Sequence, residues 1–255
     1  MSRGALLTWQ ILVGLIGLAV WHVLTTYPIV ANLNDMKLFF AAPWDVAQRI
    51  VKMFASGMIW RHLAITLSES ILAFLIGSLF GAAFGFGLAL MPRVAAVLDP
   101  YIKMANSLPR VVLAPIFMLW FGLGIWSKVA LGITLVFFVV FFNVYQGVRE
   151  TSPVILDNAR MLGMSRSQLF RHVYWPSALS WVFSSLHSAV GFAIVGAVVG
   201  EYIGASAGLG YLIHEADGNF DTTGVFAGMV VLSVFVLVVD GLVSVVEKRL
   251  LAWKG

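Results

Sequence analysis

The sequence predicts an all-α fold, a polytopic transmembrane helical bundle of about six spans. Composition and pattern both carry this reading. Hydrophobic residues make up 60% of the 255 and charged residues 11%, where soluble domains run near ~45–50% and ~25%. The mean hydropathy is +0.94. Apolar runs of the roughly 20 residues that a membrane-crossing helix needs recur through the chain. They lie at 6–27, 62–91, 104–122, 128–146, 181–203 and 225–246.

The first run follows Met1–Gln10, which carries only Arg3, and shows no A-x-A-like cleavage site near Trp21–Tyr27. It reads as a retained helix, not a signal peptide. In residues 28–61, Pro43 precedes WDVAQRIVKMF, where Val46, Ile50, Met53 and Phe54 share one helical face. That pattern predicts an amphipathic helix lying at the membrane interface. Residues 1–61 thus form a first helix plus an outer amphipathic segment. Residues 62–250 form a core of five spans with a long connection at 147–180. In the second span, Gly77, Gly81 and Gly85 recur every four residues and let another helix approach closely. The third opens on Asn106, Ser107, Pro109 and Arg110, and Pro109 and Pro115 loosen its hydrogen-bond ladder. Broken helices in transporters tend to line cavities. Arg110 either attracts an anionic solute or snorkels to headgroups.

Basic residues set the orientation. With the N-terminus inside, Arg3, Arg93, Lys103, Arg110, Arg149, Arg160, Arg166, Arg171, Lys248, Arg249 and Lys254 face inward. Lys37, Arg49, Lys52, Arg61 and Lys128 face outward. About two thirds of the positive charge is then cytoplasmic, together with both termini and the 147–180 connection.

Several chemistries drop out. There is no cysteine, hence no disulfide or thiolate site. The net charge of +4 follows loop position and implies no nucleic acid. His22, His62 and His214 lack metal-site spacing. Gly204-Ala205-Ser206-Ala207-Gly208 matches G-x-S-x-G, and His187 or His214 could serve an intramembrane serine protease, but that motif needs a strand-to-helix elbow. Intramembrane carboxylates are functional candidates by default. Glu69 either lines a cavity, caps a neighbouring helix or is protonated, Asp240 suits pairing with a nearby cation, and Glu201 suits a structural pair or a helix-end hydrogen bond.

The 147–180 connection is ordered in pattern. Ser152 is a good N-cap and Pro153 fits the first helical position. Ile155, Ala159 and Leu162 fall on one face, and Gly163 suits a left-handed C-terminal cap. Ser165 with Gln168 forms a capping box opening a second helix that includes Leu169, Phe170 and Val173. Trp175-Pro176 should end that helix. Two short capped helices result, and the same pattern also suits an amphipathic segment on anionic lipid.

The spacing Asp157-Asn158-Ala159-x3-Gly163-x9-Val173-x-Trp175-Pro176 resembles the EAA loop of ABC-importer permeases, E-A-A-x3-G-x9-I-x-L-P. Asp157 stands for the Glu, Ala159, Gly163 and Pro176 match, and Asn158 and Trp175 depart. Further stretches, WRHLAITLSESILAFLIGSLFG, NSLPRVVLAPIFMLWFGLGIWSK, NVYQGVRE and GEYIGASAGLGYLI, resemble permeases for aliphatic sulfonates, taurine, nitrate and bicarbonate, in the same order over about residues 60–250.

The resemblance implies a type I ABC importer permease fold in a bacterial inner membrane. It implies a second permease subunit, two cytoplasmic ATPases and a periplasmic or lipid-anchored solute-binding protein. Asp157, Ala159, Gly163, Val173 and Pro176 would dock the ATPase. Asn106, Ser107, Pro109, Arg110, Glu69 and His187 are candidates for the pathway. Ser206, Gly208, Gly210 and Tyr211 are candidates for contact with the binding protein. The sequence has no G-x-x-x-x-G-K-[ST] run, so ATP and Mg belong to the partner ATPase. The cargo class is a small solute, most often an anion such as a sulfonate, taurine, nitrate or an aromatic acid, with pyrimidine-type vitamin precursors the other candidate. A secondary transporter would call for inverted repeats between the halves, and none is visible.

Overall fold

Where an apolar run has no proline beyond its first turn, it folds as one long helix. A computed structural model describes residues 3–27 and 39–250, without the side chains of Arg3, Ser180 and residues 246–250. Lys37 and Lys254 and the side chains of Arg3, Lys248 and Arg249, used above for orientation, lie outside the described residues. The long helices are α1 (Arg3–Thr26), α3 (Met58–Ala89), α6 (Ile125–Arg149), α9 (Trp175–Gly204) and α11 (Thr222–Leu250). Shorter ones are α2 (Pro43–Ala55), α4 (Pro92–Ser107), α5 (Ala114–Phe121), α7 (Pro153–Met161), α8 (Arg166–Leu169) and α10 (Leu209–Gly218). No strand occurs among the described residues.

Proline moves the third span. The expected helix at 104–122 is instead α4, starting at Pro92, then a 3-10 turn at Arg110–Leu113, then α5, with an 85° bend between the two parts. Leu108, just before Pro109, is extended at ψ 131°, because a residue preceding proline is driven out of helical geometry. Five helices are long and apolar enough to cross a membrane, or six if the bent pair counts as one span.

The core is α3, α6 and α9. A Cβ at Gly77 would sit 2.8 Å from Val136, one at Gly81 3.0 Å from Val140, and one at Gly85 3.0 Å from Val144. Glycines every fourth residue on α3 thus receive valines every fourth residue on α6, with no room for a side chain between. Both series ascend together, so α3 and α6 run parallel and the chain between them must recross; the bent pair does so. Gly147 meets Trp181, Gly196 meets Gly132 and Gly200 meets Lys128, so α9 runs antiparallel to α6.

The α2 helix forms as expected, but its apolar face is used by the protein. Val46 and Met53 are buried with Ile59, Leu209, Leu212, Ala227 and Val231. Trp21 of α1 packs on Phe226 with ring centroids 5.7 Å apart, while most of α1's apolar surface stays exposed.

Gly81→Val should lower the thermal midpoint of the solubilised chain, with a stability loss of about 1–3 kcal/mol from overpacking. Gly87→Ala, where no atom lies within 4 Å of the added Cβ, should hold the midpoint or raise it, since alanine favours helix by up to ~1 kcal/mol. Fluorescence-detected melting separates the two.

Candidate functional site

The connection between α6 and α9 is built around a small apolar cluster of Ala159, Leu169 and Val173, with Leu156, Met164 and Tyr174 packed on it. Ser152 occupies the N-cap of α7 without a side-chain cap bond, and Pro153 begins the helix. Gly163 adopts φ +74°. Its N–H donates to Arg160 O at 2.9 Å and that of Met164 to Ala159 O at 3.1 Å. These two bonds make a Schellman motif, which needs the left-handed residue at Gly163. The capping box is present: Ser165 N donates to Gln168 Oε1 at 2.8 Å and Gln168 N to Ser165 Oγ at 3.3 Å.

Two expectations for this connection need correction. Ile155 and Leu162 do not share a buried face with Ala159; both are exposed. The Schellman turn folds Met164 back over Ala159, so the buried side is the one carrying Leu156. Trp175-Pro176 does not end the second helix either. Phe170–Tyr174 form a π-helical turn that runs directly into α9, with Trp175 helical at φ −60°, ψ −51°. The wider turn relieves the clash and the missing donor that proline brings to an α-helix. Phe86 of α3 stacks on Trp175 at 5.3 Å and meets Phe170 edge-on at 5.6 Å, tying the connection to the core. At the crown of the turn, Met161 and Leu162 stand 81% and 80% exposed. Asp157 pairs with Arg160 at 3.1 Å on the surface.

The pathway candidates fall into separate places. Arg110 Nη2 donates to Asn106 Oδ1 at 2.5 Å across the break in the third span, and its guanidinium lies 5.1 Å over the Phe138 ring. Ser107 Oγ donates to Lys103 O at 2.8 Å, and Pro109 is exposed. His187 Nε2 lies 3.6 Å from Asp240 Oδ1, beside an apolar groove of about 460 Å³ that includes Leu67, Phe74 and Val190. No described contact joins Arg110 to His187.

Glu69 belongs to a third place, a buried polar cluster where α3, α6 and α9 meet the start of α10. The first N–H groups of α10 find side-chain acceptors. Gly208 N lies 3.0 Å from His62 Nδ1, Leu209 N donates to Thr66 Oγ1 at 2.9 Å, and Gly210 N to Glu201 Oε2 at 2.7 Å. Thr66 Oγ1 in turn donates to Glu201 Oε1 at 2.6 Å. Gly208, at φ +123°, leaves the space that the Glu201 carboxyl fills. Lys128 Nζ donates to the carbonyls of Leu123, at 2.5 Å, and Gly124, at 3.1 Å.

Glu201 therefore makes the helix-end hydrogen bond its position suggested. Of the binding-protein candidates, Gly208 and Gly210 are buried, Ser206 is exposed, and Tyr211 is half-buried and stacked on His62 at 6.0 Å. The G-x-S-x-G stretch follows a helix, without the strand a nucleophile elbow needs. Sequence reading passed over Thr66, gave His62 no role and took Lys128 only as an outward-facing charge. The visible signal was the stripe His62, Thr66, Glu69, Ser70, which lines one face of an otherwise apolar helix.

The family described as "Binding-protein-dependent transport system inner membrane component" matches residues 73–252. The putative aliphatic sulfonates transport permease protein SsuC of Bacillus subtilis is 29% identical over 93% of this chain and 84% of its own length. The formylaminopyrimidine transport permease protein ThiX of Halalkalibacterium halodurans is 30% identical over 91% of this chain and 92% of its own. A chain from the inward-facing MetNI methionine ABC transporter superposes with a TM-score of 0.66 at 16% identity, covering 75% of this chain and 95% of that one.

Thr66→Val removes the acceptor for Leu209 N–H at a fully buried position, and should cost about 1–3 kcal/mol of stability. Ser68→Ala, on the exposed side of the same helix, should change it by about 0.5 kcal/mol or less. Melting curves of the two purified variants make the comparison.

Proposed function

Because the chain belongs to the family of binding-protein-dependent transport system inner membrane components, we propose that two copies of it form an import path that two cytoplasmic ATPases drive through the Pro153–Tyr174 segment. The chain is a membrane permease subunit of an ABC importer, with the fold of type I importer permeases.

One observation carries the docking role. An apolar pair, Met161 and Leu162, projects into the open on a turn that is internally capped and packed. A segment merely resting on lipid has no need of such a fixed crown. A groove on an ATPase would bury both side chains, while Asp157 and Arg160 sit at the rim. ATP and Mg then bind the ATPase. ATP-driven closure of the ATPase pair would rock the helical cores between outward- and inward-open forms, a rigid-body switch.

The excess of basic residues on the side of Arg160, Arg166 and Arg171 supports a cytoplasmic location for this segment and for both termini. Leu119, Trp120 and Phe121 of α5 are exposed, a face that a second copy of this chain would cover. Exposed Ser206 and half-buried Tyr211, at the opposite end of α9 from this segment, suit contact with a solute-binding protein. A small organic or inorganic anion, such as a sulfonate, taurine, nitrate or an aromatic acid, is the cargo we favour, and Arg110 at the broken third span is the cation placed to attract it. The relative named for formylaminopyrimidine makes a pyrimidine the competing cargo.

Leu162→Glu and Gly163→Asp should each cut copurification of a coexpressed partner ATPase by about tenfold or more, as loss of an interface hot spot does. The chain itself should keep its melting midpoint in Leu162→Glu. Undiminished copurification, or solute uptake without any ATPase, would overturn the docking role.

A further inference from the structure

Helices α10 and α11 are joined by Asn219, Phe220 and Asp221. Among the described residues, Phe220 is the non-glycine residue that takes a positive φ, +54°. Phe220 N–H donates to Asp217 O at 3.0 Å and Asp221 N–H to Ala216 O at 2.8 Å. These bonds make a Schellman motif whose left-handed position usually falls to Gly or Asn, because a β-carbon is strained there. A bulky aromatic thus fills the place that Gly163 fills at the end of α7. Asn219 lies one residue too early to take it.

The strain earns Phe220 no burial: it is 85% exposed. The turn that carries it is nevertheless held from several sides. Asp221 Oδ1 accepts from Gly224 N–H in the first turn of α11 at 2.9 Å, and its Oδ2 accepts from Arg49 Nη2 of α2 at 2.8 Å. Tyr202 of α9 donates its hydroxyl to Asp217 Oδ2 at 2.9 Å. Tyr202 is near the end of α9 opposite the Pro153–Tyr174 segment, so the ring stands at the face that the proposed orientation puts outside the cell. Local strain kept at an exposed position, on a turn this well fixed, points to function.

Charge selects the occupant. Glu215 and Asp217 are exposed near the ring, and Arg49 is already engaged by Asp221. Anionic headgroups are repelled by that sign, and interfacial anchors pair Trp or Tyr with Lys or Arg. A protein surface with an apolar pocket rimmed by basic side chains fits both the ring and its carboxylates. A ring fixed in advance also loses little freedom on docking.

We propose that Phe220 is the anchor by which the outer face docks a solute-binding protein, its ring entering an apolar pocket that Lys or Arg side chains surround. The role rests on the importer proposed above.

Photocrosslinking in the native host tests it. With p-benzoylphenylalanine in place of Phe220, irradiation of intact cells should give an adduct that mass spectrometry assigns to a secreted solute-binding protein. That protein, titrated onto the permease–ATPase complex in nanodiscs, should bind Phe220→Asn about tenfold or more weakly than wild type. It should bind Phe220→Tyr as it binds wild type, and bind all forms less tightly as ionic strength rises. The melting midpoint of Phe220→Asn should hold or rise, since asparagine tolerates the left-handed turn, which separates lost docking from lost folding. No protein adduct, adducts with lipid alone, or undiminished binding by Phe220→Asn would overturn the anchor while ATPase copurification stays intact. A wild-type chain with which no ATPase copurifies would instead sink the importer itself.

Discussion

A chain this apolar is governed by one constraint: inside the bilayer no water is present to satisfy a backbone N–H or C=O. Unbroken helices meet it internally. Every break then becomes a debt that some side chain must settle, and the breaks here are met in that way. The start of α10 is received by His62, Thr66 and Glu201, and the carbonyls before α6 by Lys128. At the end of α4, Arg110 reaches back to Asn106. His62, Thr66, Lys128 and Glu201, all buried, sit against places where helices start or stop.

The same constraint explains how tightly the scaffold is drawn. Lipid tails are as apolar as leucine, so helices in a membrane gain little from hydrophobic burial against one another and rely on close packing. The glycine rows of α3 against the valine row of α6, and Gly132 against Gly196, bring backbones into contact. This close packing holds in place the side chains that receive the first N–H groups of α10.

Much of the architecture was legible because it follows from local pattern. A span number of five to six and the positions of the long helices α3, α6, α9 and α11 come from apolar run length. The Gly77, Gly81, Gly85 row, the Gly163 turn and the Ser165–Gln168 box come from fixed spacing. What was not legible depends on distant partners. Thr66 and Glu201 are 135 residues apart in sequence, and Lys128 looks like an ordinary flanking charge until Gly200 is seen to admit its stem. Proline acts here in opposite senses. At Pro109 it breaks the third span, as its place in the apolar run suggested, while at Pro176 a π-helical turn absorbs it where a helix end was expected.

That absorbed proline has a mechanical consequence. Since no hinge separates Tyr174 from α9, the segment below Trp175 and the carboxylate of Glu201 ride on one continuous rod, about 40 Å long at 1.5 Å per residue. A tilt of roughly 5° about its midpoint would swing the two ends in opposite directions by about 2 Å each. Torque applied at one face of the membrane would arrive at the other as a tug on the seam that keeps α10 seated.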